Sequence, residues 1–390
     1  LERPLVHILL NRLKKGPNLL QFVVGPRQVG KTVMVKQVIE KWKGLSHYAT
    51  ADLPQTPDAY WIQSQWHIAR LELKKKKPVL LVLDEIQKIP RWNEVVKALF
   101  DEDRHSSPSL RVILLGSAAL KIQQDSGESL AGRFERHYCS HWTWPECKAA
   151  FGWNLDTWIY YGGYPGAAPL IKDRNQWASF VGDSLIDSVL SRDVLQMTQI
   201  VKPALLRQLF MLAAHSPAQI LSYNKMLGQL QDAGNTVTLA HYLDLLSSAY
   251  LISGLQKWSA GVSREKASSP KLIIWNNALV SALTSQDFKT LRAEGHQWGH
   301  WVENAVGAAL LNQIASTDSL YYWRERNDEV DFVLERNNQL YFIEVTTNPH
   351  HSLTGLSTLT KKYPRSKAIL IGPGGIPVEK FFSVPAMEWF

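Results

Sequence analysis

Cysteine is nearly absent: Cys139 and Cys147 are the only two in 390 residues. A disulfide framework is thereby excluded, and a reducing, cytoplasmic setting is expected. Both lie in HYCSHWTWPEC beside His137 and His141, but that spacing matches no standard metal-ligand pattern. Long apolar runs are missing too. None approaches the ~20 residues that span a bilayer, so no membrane partner is expected, and the opening LERPLVHILL lacks the layout of a signal peptide. Nor is there an acidic excess. The net charge is +8, and all of it sits on residues 1–150, which hold 23 basic and 15 acidic side chains. Part of that is the run Lys74 to Lys77, read as the solvated end of a helix, so basicity is weak evidence for a nucleic-acid partner. What the chain has in quantity is apolar residues, 45% of it, enough for real cores over more than one domain.

Residues 25–32 read GPRQVGKT, after the apolar run LLQFVV and before VMVKQVIEKW. Leu19 to Val24 predict a short strand, and Val35, Val38, Ile39 and Trp42 fall at helical spacing. Strand, glycine-bearing loop and helix in that order gather backbone N–H groups at a helix N-terminus, where a phosphate chain is favoured. Gly25, Pro26, Arg27, Gln28, Val29, Gly30, Lys31, Thr32 and Val33 form this expected nucleotide cradle. Lys31 would reach the β- and γ-phosphates and the Thr32 hydroxyl would ligate Mg²⁺, so ATP and Mg²⁺ are the expected ligands.

The run VLLVLDEIQ (79–87) reads as a second buried strand ending in Asp84-Glu85. Asp84 is the expected holder of Mg²⁺ and Glu85 the expected general base for the attacking water. A third strand, RVILLGS, ends at Ser117, a candidate sensor of the γ-phosphate at the carboxyl edge of the sheet. Shorter strands near HYATAD and ERHYCSHW complete a five-stranded sheet. Between them, SLAGRF supplies Arg133. It is either a finger toward a neighbour's γ-phosphate, which implies a homo-oligomer, or the partner of a carboxylate on its own chain.

Residues 151–284 read as helical, with a turn at YYGGYPGAAP, followed by three helices and two strands in the order of a winged helix. The third helix offers Thr238, His241 and Asp244 but no Arg or Lys, so direct base reading is disfavoured. Lys257, Arg264 and Lys266 on the wing would give at most weak, non-specific DNA binding, and a protein partner is the other reading. Residues 285–390 carry carboxylates again. Glu303 lies on a helix, Asp331 in YYWRERNDEVDFVLE, read as one strand, and Glu344 and Thr346 on the next strand, QLYFIEVTT. Asp, then roughly a dozen residues, then Glu-x-Lys is how restriction-type nucleases gather carboxylates around Mg²⁺. Thr346 stands where that lysine belongs, and Lys361 and Lys362 are the nearest substitutes in sequence. A nuclease-like domain without cutting activity is the expectation.

The order GPRQVGKT, LDEIQKIPRW, LLGSAAL, SLAGRF, GGYPGA, SRDV, SSPKLIIWNNAL, VEN and EVDF followed by IEV resembles one family. It is the large prokaryotic family of poorly characterised AAA-type ATPases whose C-terminal domain of unknown function ends in a restriction-endonuclease-like fold. The resemblance covers nearly the whole chain. It implies ATP chemistry at Lys31, Thr32, Asp84 and Glu85, and a nuclease-like site at Glu303, Asp331 and Glu344. The family usually has lysine at the Thr346 position and a second threonine at Val33. The expected architecture is α/β: a P-loop ATPase domain over 1–150, a winged-helix region over 151–284 and a nuclease-like domain over 285–390. The function expected is that of an ATPase coupled to a nucleic-acid or protein partner. A DNA-cutting enzyme and a slow nucleotide-switched scaffold are the alternatives.

Overall fold

The structure is a computed structural model that describes residues 1–16, 19–73, 77–106, 110–116, 130–194, 200, 202–231, 234–260 and 268–390. The chain divides into two units, Leu1–Ser140 and His141–Phe390. The sequence reading placed a further boundary near residue 284, inside the second of these units.

In the first unit five parallel strands line up in the order β2-β3-β4-β1-β5. They are β1 Leu20–Val24, β2 Leu45–Thr50, β3 Val79–Asp84, β4 Leu110–Gly116 and β5 Phe134–Tyr138. Every residue of β1 and β3 is buried, because a parallel sheet is covered on both faces. That is why both read as unbroken apolar runs rather than alternating ones. The helices are α1 Pro4–Lys14, α2 Lys31–Lys41, α3 Ala59–Leu73 and α4 Trp92–Ser106. One face of the sheet packs Phe22 and Leu83 against Trp66 of α3 and Trp92 of α4. A buried polar node joins those two helices. The Trp66 indole donates to Asp103 Oδ2 at 2.7 Å, and Arg70 Nε donates to Asp103 Oδ1 at 2.8 Å. The parallel register brings the loops after β1 and β3 to the same carboxyl edge.

The second unit opens with the helices Trp144–Phe151, Leu155–Tyr161 and Arg174–Phe180. The helices Pro203–Ala214, Tyr223–Gln229 and Thr236–Ser248 then precede β6 (Ile252–Leu255) and β7 (Lys271–Ile274), which pair antiparallel. Asn235 caps the third of these helices by accepting from the Thr238 N–H at 2.9 Å. Lys257 falls just after β6, whereas Arg264 and Lys266 lie outside the described residues. A mixed sheet follows in the order β11-β10-β9-β8, from β8 Ser319–Glu325, β9 Asp328–Arg336, β10 Gln339–Val345 and β11 Lys367–Ile371. The single strand expected over YYWRERNDEVDFVLE is therefore two. Arg326 adopts a left-handed backbone (φ +55°) in the turn that folds β9 back on β8.

Asn304 clips the helix Gly295–Gln313 to β7. Asn304, wholly buried, accepts from the Ile274 N–H at 2.9 Å and donates to the Ile274 carbonyl at 2.9 Å and to Asn277 Oδ1 at 2.7 Å. A primary amide can satisfy the free edge of a strand in this way because it carries donor and acceptor together. Replacing it by alanine strands those buried groups. Asn304→Ala is expected to cost about 2–5 kcal/mol of stability, read as a lowered urea midpoint for the full chain.

Candidate nucleotide site and a buried ion cluster

The loop after β1 holds its shape through backbone that only some residues tolerate. Gly30 ends it in a left-handed conformation (φ +87°) and α2 begins at Lys31. At Gly25 (φ +153°) a Cβ would fall 2.2 Å from the Cys139 carbonyl oxygen, so only glycine lets the chain pass the end of β5. Lys31 is 8% exposed, and its Nζ donates to the carbonyls of Gly25 at 3.0 Å and Pro26 at 2.6 Å. Burial lowers its pKa, with Cys139, Glu85 and Asp84 acting the other way. Of the flanking valines, Val29 is fully buried and Val33 is exposed.

At the end of β3, Asp84 Oδ2 accepts from the Thr32 hydroxyl at 2.8 Å and from the Tyr48 hydroxyl at 2.8 Å. Its other oxygen accepts the Glu85 N–H at 2.8 Å. Burial, and then the charge of Asp84, pushes the Tyr48 phenol well above its usual value. Glu85 sits in a left-handed backbone (φ +54°), and its Oε2 accepts from the Gln87 amide at 2.6 Å. Thr32, Asp84 and Glu85 are thus close together, as their motifs suggest, while Tyr48 and Gln87 escaped the sequence reading. Tyr48 is reached only through strand register, since β2 lies beside β3 with Tyr48 opposite Val82.

Two other expected residues fare differently. Ser117 follows β4 directly and lies outside the described residues. Arg133 pairs with a carboxylate of its own chain, donating from Nε and Nη2 to Asp101 at 2.7 and 2.9 Å. That fork-to-fork geometry is the strong form of the guanidinium–carboxylate pair. A free finger is not what the structure shows. The cysteine and histidine positions are likewise engaged, Cys139 accepting from Arg3 at 3.0 Å, His137 bonded to Gln21 at 2.7 Å and His141 to Tyr164 at 3.0 Å. Among the described residues no group of three or more His, Cys, Asp and Glu could hold a metal ion.

In the second unit the structure brings Glu303, Asp331 and Glu344 together around a lysine that the sequence reading missed. Lys271, at the start of β7, is wholly buried. Its Nζ lies 2.5 Å from Glu303 Oε1, 2.8 Å from Asp331 Oδ1 and 3.2 Å from Glu329 Oε1. Asp331 Oδ2 accepts the Val345 N–H at 2.9 Å, and Glu344 Oε1 is bonded to His351 Nε2 at 2.7 Å. Of the expected substitutes, Lys362 pairs elsewhere, lying 3.9 Å from Glu325 at the C-terminal end of β8. Thr346 falls just past β10, its hydroxyl accepting the Asn348 N–H at 3.0 Å in a local turn. The signal for Lys271 was a lysine opening the apolar run KLIIW, a charge with no solvent face to occupy.

Comparison with known proteins divides the chain into three stretches. Residues 18–147 match the AAA domain. Residues 152–290 and 298–387 each match a domain of unknown function (DUF8612 and DUF4143). An uncharacterized protein of Mycobacterium tuberculosis is 29% identical over 90% of this chain and 75% of its own. One from Methanocaldococcus jannaschii is 23% identical over 84% of this chain and 74% of its own. Among solved structures, the Aeropyrum pernix ORC1 protein in complex with DNA covers 73% of this chain and 92% of its own, at 12% identity and a TM-score of 0.30. Cdc6p from Pyrobaculum aerophilum covers 71% and 91%, at 12% identity and a TM-score of 0.33. The P-loop geometry thus lies wholly within the AAA stretch, and Lys271 falls in a different matched stretch from its acidic partners.

The ion cluster has a pH signature. Burial first, then the charge of Asp331, raises Glu303 to about 7 and Glu344 to about 9. Burial would raise Asp331 too, but the Lys271 charge beside it wins and lowers it. Burial works against the Lys271 charge, yet Asp331, Glu303 and Glu329 together raise its pKa. A carboxylate raised on folding binds more protons folded than unfolded, so stability falls as pH climbs from its unfolded value through its folded one. The lowered Asp331 acts below the ordinary carboxylate range and the raised Lys271 above the ordinary lysine range, so neither bends the curve between. Thermal unfolding followed from pH 5 to 9 is expected to show a falling midpoint, and Glu344→Gln is expected to flatten the upper half of that fall.

Proposed function

We propose that this chain binds ATP with Mg²⁺ through its AAA stretch and hydrolyses it, coupling the nucleotide state to a nucleic-acid or protein partner. The observation that carries the reading is the 2.8 Å hydrogen bond from Thr32, at the start of α2, to Asp84, at the end of β3. It joins the two motifs whose pairing an NTPase needs. Those two oxygens fit a small hard cation: a hydroxyl and a carboxylate oxygen side by side, the carboxylate fixed by Tyr48 and the Glu85 N–H. Thr32 and Asp84 would hold Mg²⁺, which when bound neutralises charge on the β- and γ-phosphates. Lys31 would exchange its two loop carbonyls for phosphate oxygens, a change favoured because those oxygens are charged. Glu85 would take the proton of the attacking water, and Ser117 would sense the γ-phosphate. In the second unit the carboxylates of Glu303, Asp331 and Glu344 form a nuclease-like cluster that does not cut.

A second reading has an observation of its own. Gln87 holds the Glu85 carboxylate at 2.6 Å, which favours a slow nucleotide-switched scaffold. Two variants separate them. Lys31→Ala is expected to abolish tight ATP binding in equilibrium titration. Glu85→Gln is expected to keep ATP bound and slow hydrolysis by about 10²-fold or more. Hydrolysis by Glu85→Gln at the parent rate would remove the base from Glu85 and leave the scaffold standing.

DNA, if it is the partner, is expected to bind weakly and without sequence preference through Lys257, Arg264 and Lys266. In that case the slope of log affinity against log salt falls by about one for each of them removed. A sequence preference lost on mutating Thr238 or His241 would instead show that the helix reads bases. The ATPase rate with and without DNA decides whether DNA is a partner at all.

A further inference from the structure

We propose that the Lys271 ammonium is the resident cation of the C-terminal carboxylate cluster, occupying the place of a divalent metal, so that the cluster binds such a metal only when this lysine is lost. The inference extends the non-cutting reading of the cluster given above. Its basis is the company the ammonium keeps. Lys271 donates to Asp331 Oδ1 and Glu329 Oε1, and its Nζ is also in ion-pair contact with Glu303 Oε1, an oxygen without a hydrogen-bond partner among the described residues. Those acids come from two separate elements, the helix Gly295–Gln313 and β9, and Lys271 comes from a third, β7. A positive centre gathering oxygens from several elements is the structural job of a bound metal. Here a side chain does it.

The surroundings fit an occupied site. Lys271 is wholly buried, and its Nζ also lies 5.3 Å from the centre of the Phe332 ring, so one side of the charge is closed by an aromatic face. A lysine that orients water or steadies a scissile phosphate needs a spare N–H and an approach for substrate. Lys271 donates to Asp331 and Glu329 and has no exposed surface. The remaining oxygens are hard donors of the kind Mg²⁺ and Mn²⁺ take, and Glu344 Oε2 is buried without a hydrogen-bond partner among the described residues. Take the ammonium away and Glu303 and Asp331 lose the positive charge they share, beside a Glu344 bonded to His351.

The test measures Mn²⁺ binding by electron paramagnetic resonance on the full chain without nucleotide, together with DNA cleavage in the same buffer. The unmutated protein is expected to show neither binding at this cluster nor cleavage. Lys271→Met is expected to bind Mn²⁺ about tenfold or more tightly than the parent, with a thermal midpoint that rises on adding the ion. Lys271→Met/Asp331→Asn is expected to lose both effects, which locates the ion. Should Lys271→Met fail to fold even with Mn²⁺, Lys271→Gln/Glu303→Gln relieves part of the repulsion and carries the same comparison. Equal Mn²⁺ binding by parent and variant, or none by either variant, overturns the proposal. Mn²⁺ binding by the parent that Asp331→Asn removes, without cleavage, overturns the proposal alone, whereas cleavage lost with Glu344→Ala overturns the non-cutting reading beneath it.

Discussion

An ammonium taken out of water must be answered by oxygen, and among the described residues Lys31 and Lys271 meet that demand with opposite solutions. Lys31 is answered by two peptide carbonyls of its own loop. Carbonyl dipoles satisfy the donors without cancelling the charge, and burial leaves the lysine with a lowered pKa. Lys271 is answered by carboxylates, which cancel the charge and raise its pKa. The first arrangement leaves a positive centre in want of an anion, at the mouth of a helix that favours one. The second leaves a positive centre that is already spent. The same side chain is thereby a binding group in one unit and a structural cation in the other.

Each solution dictates the local fold around it. For Lys31 the loop must turn its carbonyls inward, and Gly25 and Gly30 supply the backbone that does so. For Lys271 the acids must arrive from distant segments, so β7, β9 and the helix Gly295–Gln313 must be locked in one register. Asn304 locks the helix to β7, one residue along the helix from Glu303 and bonded to the far end of the strand that Lys271 opens. A buried charge network of this kind is weak evidence for stability, since desolvation offsets the Coulomb gain. Its value lies in the arrangement it enforces. A slip of β7 by one residue would turn Lys271 to the opposite face and leave its carboxylates facing one another.

That difference explains what could be read from the chain alone. The nucleotide cradle is a contiguous octapeptide between a strand and a helix, so its geometry is local and its letters suffice. Asp84-Glu85 is legible for the same reason, as the end of a fully buried run. Strands β1 and β3, and nearly all of β4, were readable because burial on both faces makes them apolar, whereas β2 (LSHYAT) and β5 (FERHY) are partly exposed and mix polar with apolar residues. Tyr48 was not, because it reaches Asp84 across a strand pairing that no local pattern encodes. Arg133 was readable as an important arginine but not as the partner of Asp101, since that pairing depends on where α4 docks. The acids of the second unit could be named from the spacing of EVDF and IEV, whereas Lys271 could not. Its partners are far along the chain, and no local pattern ties β7 to the strand that carries Glu344.

The missing lysine at Thr346 also changes meaning in this light. Read in sequence, the departure is a deletion: a cluster with its acids intact and its base lost. In the structure the positive charge is present, supplied from the strand that opens at Lys271, but turned from the solvent side to the buried side of the carboxylates. A lysine two residues beyond Glu344 would extend from the end of β10, where Thr346 is now folded into a turn with Asn348. A lysine from β7 approaches the acids from the protein interior, where Phe332 closes the space behind it. The count of charges is similar in the two arrangements, and the direction of approach differs. A charge facing out can meet a substrate; a charge facing in can only hold the strands and the helix to one another.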